Sequence, residues 1–276
     1  MKLISPTRLP VSSTLVKAED MELTTTNPLF RNISLLESTG HLGAGAKPIT
    51  LSGVIHKASI LLACCAVSAV WSWMTIGSLL HKTAKGALLV FSVCAVGAWV
   101  LAYLTVRNRA WAPFTAPIYA VLQGLVLGAI SAGFDKRYPG IAIQAVGLTI
   151  AICFCLLVAY RYGFIRLTEG FNRKLTAVTG GVVLFYVANF ALALMGIQTL
   201  SVLNIGIPGI LVTAIIVVIA GLNFLSDFDF AAQCAAGGLP KYMEWYTALG
   251  LIVTLVWLYL EMLRLVSKIR KAREDA

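Results

Sequence analysis

Acidic side chains are scarce in this sequence, 12 among 276 residues, and four of them stand beside or within its last two apolar runs: Asp227, Asp229, Glu244 and Glu261. Two fall in "LNFLSDFDFAAQC", residues 222 to 234, where a long apolar run ends. Ionisable residues within or beside membrane spans usually face the bundle interior and mark ion or proton pathways. On a helix, Asn223 and Asp227 are four positions apart and share one face, whereas Asp229 points about 200° away from Asp227. One acid should therefore face inward while the other meets water or headgroups. Asp227 is the expected inward one, because Asn223 extends its polar stripe deeper; the alternative is that both acids belong to a solvated helix terminus.

A half-buried acid there, with a second carboxylate or an arginine in reach, would switch the local attraction on gaining a proton. That makes a pH-sensitive latch between helices. Carboxylates in an apolar bundle also favour hard cations such as Ca²⁺, which take oxygen ligands, so Asp227 is the candidate metal contact. Other chemistry finds no support. The histidines, His41, His56 and His81, lie outside the centres of the apolar runs, so a serine–histidine dyad buried in a membrane cannot be assembled. No P-loop, HExxH or dinucleotide-type glycine pattern has a suitable context. The six cysteines form no CxxC pair or cluster with histidine and read as small hydrophobes. The expectation is a protein that is not an enzyme and carries no cofactor, with Ca²⁺ only as a permeant ion.

The elements that position these acids follow from composition. The chain is 59% hydrophobic and 12% charged, with mean hydropathy +0.85, against about a quarter charged in soluble domains. Seven apolar stretches, each near the roughly 20 residues of a spanning helix, run over 54–80, 86–106, 112–132, 141–160, 175–196, 205–226 and 245–266. The fold class is all-α, a polytopic bundle of seven transmembrane helices, because backbone groups in lipid must be bonded internally. Residues 1–50 form a polar tail expected to be disordered, 51–267 the membrane domain, and 268–276 a short charged tail. Gly124 and Gly128 make a GxxxG spacing that lets helices approach closely. The net charge of +10 fits topology and anionic headgroups, not nucleic acid, and its even division between the two sides leaves orientation open. The bilayer is the expected partner, and the chain is compatible with a monomer.

Several blocks in order, "GLVLGAISA", "YPGIAIQAVGLT", "YRYGFIRLTEGF", "SDFDF" and "PKYMEWYTALGLIVTLVWLYLEMLRL", resemble the Bax inhibitor-1 family, closest to a bacterial branch with a longer N-terminal tail. The resemblance runs from "NPLF" to "SKIR". It implies a seven-helix bundle with the last helix surrounded by the others, in a bacterial inner membrane. It further implies a pH-sensitive calcium leak controlled by two aspartates in the last two helices and an arginine ending the second. The first aspartate falls on Asp227 and the arginine on Arg107, with Arg109 beside it. The second falls on Thr254, a departure from the family pattern. Glu244 lies ten residues earlier, about 15 Å along a helix, too far to substitute at that depth. Glu261 lies two turns the other way, either facing the core or snorkelling beside Arg264.

The leading expectation is thus a pH-sensitive cation leak using Asp227 with Arg107. A second is a membrane interaction protein that modulates a membrane protease or stress-response partner through its tail, as a segment that orders on binding. A third is a proton-coupled transporter whose sixth segment is broken at Pro208 within "GIPG".

Overall fold

The computed structural model of the protein describes residues 48–79, 84–165, 167–195 and 206–275. Seven α-helices occur among them: α1 (Leu51–Leu79), α2 (Ala84–Arg107), α3 (Ala112–Arg137), α4 (Ile141–Arg161), α5 (Glu169–Leu194), α6 (Gly206–Ala236) and α7 (Met243–Glu274). A single 3₁₀ turn, Arg109–Trp111, joins α2 to α3. Helices α1, α3, α4, α6 and α7 are long and apolar enough to cross a bilayer, and α2 contains a shorter apolar stretch, Phe91–Arg107. Most of the polar tail, residues 1–47, lies outside the described residues.

Apolar surface is distributed as lipid solvation demands. Trp99, Phe114, Phe154, Ile215 and Val218 all point outward, on a scale that a water-exposed surface seldom tolerates. The polar side chains turn inward instead: Ser72, Thr105, Thr115, Ser131, Asn223 and Asp227 are buried. Several bind helices together. Ser72 donates to the Leu125 carbonyl at 2.7 Å, Thr105 pairs with Thr115 at 2.6 Å, and Ser131 pairs with Tyr259 at 2.7 Å. In lipid, where no hydrophobic effect drives helices together, such bonds and close packing hold the bundle.

Helix α7 is the axis. It packs against α6, α1, α4 and α3, and Tyr246, Leu249, Leu258 and Leu263 along it are wholly enclosed. The helix ends define two faces. At one, Ile49 donates to the Leu239 carbonyl at 2.8 Å, so the chain entering α1 lies against the α6–α7 turn, and Arg109 stands over the Tyr246 ring. At the other, Arg270 donates to the Pro139 carbonyl in the α3–α4 turn, and Lys268 donates to Thr213 near the start of α6. We call these the N-terminal and C-terminal faces.

Two helices outrun their apolar sequences. α6 continues ten residues past Ser226 to Ala236, so "SDFDF" lies inside a helix and not at its lip. What ends α6 is glycine: Gly238 adopts φ +67°, Gly238 N–H reaches Ala235 O, and Leu239 N–H reaches Cys234 O. This is a Schellman closure, which needs a left-handed residue that glycine supplies without a Cβ penalty. α7 likewise carries through residues 268–274 of the expected tail, with Lys271 and Arg273 in its last turn, where cations suit the helix dipole. Pro208 falls in the first turn of α6, where the missing N–H costs no helical bond; the helix is not broken there.

Candidate functional site

Asp227 is fully buried, and Asp229, two residues on, is half-exposed. The 200° between them buries the first in the bundle interior and sends the second toward α4. Asp229 accepts from the Tyr160 hydroxyl and from Gln233 Nε2 at 2.6 Å, and Tyr160 is stacked edge-on against Phe228. On the inward side, Asn223 donates to Thr179 of α5 at 2.8 Å and to the Ile219 carbonyl at 2.8 Å. Ser226 meets Asn172 of α5 at 3.5 Å. Asn223 and Ser226 of α6 with Asn172 and Thr179 of α5 thus form a polar seam toward the N-terminal face, and Asp227 is buried on the same stretch of α6.

Arg107 is not brought to this seam. It is exposed at the end of α2, and among the described residues α2 packs on α3 and α1 with no packed interface to α6. Arg109 lies over the Tyr246 ring at 5.6 Å. Thr254, in the middle of α7, is buried and donates back to the Gly250 and Leu251 carbonyls at 3.3 and 3.2 Å. It contributes a hydroxyl bonded to its own helix where the family pattern has a carboxylate.

Glu244 forms a second polar centre on the same face. Its carboxylate is wholly buried and ion-paired to Lys57 of α1, whose side chain is 16% exposed. Glu244 Oε1 also accepts the Thr50 N–H and Thr50 hydroxyl, each at 3.1 Å. Thr50 itself caps α1 by accepting the Gly53 N–H at 3.1 Å. The carboxylate of α7 therefore sits at the N-terminus of α1, where the helix dipole and free N–H groups attract an anion. A side chain at Gly53 would run into Glu244 Oε1, so the glycine opens the space the acid fills. Lys57 also lies 5.6 Å from the Trp245 ring centre, a cation–π distance. The acid is thus a clamp between α1 and α7, already occupied by a cation of the protein.

Sequence reasoning passed over Lys57. The signal was present, since "VIHKASI" puts a charge inside the first apolar run, and the rule applied to the acids applies equally to a lysine.

Glu261 stands on α7 17 residues after Glu244, about 25 Å away along the axis, at the C-terminal face. It both faces the core and meets Arg264: its side chain is 1% exposed and Oε1 accepts Arg264 Nη1 at 2.7 Å. The same oxygen accepts the Tyr186 hydroxyl at 2.8 Å and Trp257 Nε1 at 3.2 Å. Oε2 has no hydrogen-bond partner among the described residues. Among the described residues, no group of three or more His, Cys, Asp or Glu is placed to hold a metal ion.

An apolar helical bundle packed around a buried last helix is the architecture that the resemblance implied. No curated protein and no solved structure matches the chain. A family model described as Bax inhibitor 1 like matches residues 16–271, which takes in α1 to α6 and all but the last three residues of α7, and the chain belongs to the Bax inhibitor-1 family.

Proposed function

We propose that this multi-pass membrane protein is a non-enzymatic, pH-sensitive cation leak of the bacterial inner membrane, with Ca²⁺ as the permeant ion and Asp227 as the titrating group. The observation that carries the reading is the complete burial of Asp227 beside Asn223 and Ser226, in a helix long and apolar enough to span. A carboxylate kept in such surroundings is seldom retained for packing alone. Gaining or losing its proton changes how α6 docks on its neighbours, because a carboxylate only accepts hydrogen bonds while a carboxylic acid also donates one. Glu244, by contrast with a group inside the seam, is held at the α1–α7 contact by Lys57 and Thr50. Arg107 can act as counter-ion to Asp227 only in a second arrangement of α2.

The test is Ca²⁺ entry into dye-loaded proteoliposomes over an acidic-to-neutral pH series, for the wild type and Asp227→Asn. One titrating group can change flux by at most about tenfold per pH unit. The wild type should show a graded response within that limit, and the isosteric amide a flat profile. An unchanged profile in Asp227→Asn removes the residue from the gate, and no flux from either protein removes the leak.

A further inference from the structure

An opening in the bundle lies away from Asp227, at the C-terminal face. A cleft of about 780 Å³ is lined by α3, α5, α6 and α7, within the range of small-ligand pockets. Its inner part is apolar, with Ile130, Phe185 and Ile216, and its outer part is basic, with Arg137, Arg264, Lys268 and Lys271. Against those four cations stands one acid, Glu261. The opening exists because α5 packs on α6 while α3 and α5 share no packed interface among the described residues. It is therefore bounded on one side by the gap between two helices that face lipid.

Charge balance says what the cleft suits. Glu261 is satisfied at Oε1 by Arg264, yet Arg264 remains 44% exposed, and one guanidinium carries five donors. Lys271 and Arg137 are exposed and form no ion pair with a described residue. Basic pockets between transmembrane helices recognise acidic lipid headgroups, and an apolar interior opening toward the bilayer accommodates an acyl chain. A permeating cation, by contrast, would be repelled at this rim. Glu261 Oε2, without a partner among the described residues, also calls for a hydrogen-bond donor such as a water carried in with a headgroup.

We infer that this cleft is a binding site for an anionic glycerophospholipid, its phosphate held by Arg137, Arg264, Lys268 and Lys271 and an acyl chain lying between α3 and α5. This goes beyond the leak and does not depend on it. A lipid headgroup and free phosphate present the same anion, and titration separates the two sources. The full chain in neutral detergent is titrated with phosphatidylglycerol, with phosphatidylcholine of the same acyl chains, and with inorganic phosphate, reading bound lipid by native mass spectrometry and thermal stability. Phosphatidylglycerol should bind and stabilise at concentrations where the other two do not. The variant Arg137→Gln/Lys271→Gln, which leaves the contacts of Glu261 intact, should weaken that binding roughly 30-fold, at about tenfold or less per basic residue near a headgroup. Equal binding of both lipids, or undiminished phosphatidylglycerol affinity in the variant, overturns the assignment. Inorganic phosphate that displaces phosphatidylglycerol and stabilises as well overturns it in favour of a free-phosphate site.

Discussion

Lys57→Met is expected to destabilise the protein by about 3–5 kcal/mol, because it strands a buried carboxylate without its cation. The pair it breaks joins α1 to α7 across 187 residues of sequence, and Glu244 has no exposed surface from which water could replace the lysine. Thr50 would still donate twice to Oε1, but Oε2 would lose the lysine ammonium, its partner in this structure. The double variant Lys57→Met/Glu244→Gln tests the cause. If the loss comes from uncompensated charge, the neutral pair should recover most of it, since an amide still accepts from Thr50 and carries no net charge to desolvate. Denaturant or thermal unfolding in detergent, run as a double-mutant cycle, reads the coupling directly. A single variant that unfolds like the wild type would mean that the carboxylate is neutral or hydrated in the folded protein.

The same pair shows what could be read in advance and what could not. Hydropathy located the seven helices because each apolar run is a local property of the chain. It misplaced the ends of α6 and α7 because lipid solubility and helicity are different quantities. Beyond Ser226 the chain leaves the apolar run yet continues helical until Gly238 provides a left-handed stop, and the Lys- and Arg-rich end of α7 is composed of good helix formers. The opposite faces of Asp227 and Asp229 followed from helical periodicity alone. Their neighbours did not. That Tyr160 meets Asp229, or Tyr186 meets Glu261, depends on which helices pack, and the register of one helix against another leaves no mark in a single sequence. Arg107 illustrates the hazard of carrying a partner over by motif: the residue matches, but in this structure α2 stands against α3 and its end faces outward.

Glycines make the same distinction measurable, and they carry the other large effect. "GLVLGAISAG" and "TGGVVLF" look alike as small-residue stretches in apolar runs, yet only the first is a contact surface. A Cβ at Gly124 would meet the Cys65 carbonyl and Ser68 Oγ of α1, and one at Gly128 would meet the Ala69 carbonyl. Backbone carbonyls cannot rotate aside, so α1 and α3 would have to separate, weakening the 2.7 Å bond from Ser72 to Leu125 as well. At Gly180 and Gly181 of α5 a Cβ would meet no described residue within 4 Å. Gly124→Ala and Gly128→Ala should each cost about 1–3 kcal/mol by overpacking. Their combination should cost less than the sum, because a helix pair already separated by the first methyl makes room for the second. Gly180→Ala should instead be neutral or stabilising by up to about 1 kcal/mol, the gain expected when alanine replaces glycine inside a helix without obstruction. Unfolding measurements on these variants separate close approach from mere compositional smallness: if Gly180→Ala is as damaging as Gly124→Ala, the α1–α3 contact is not what the glycines are for.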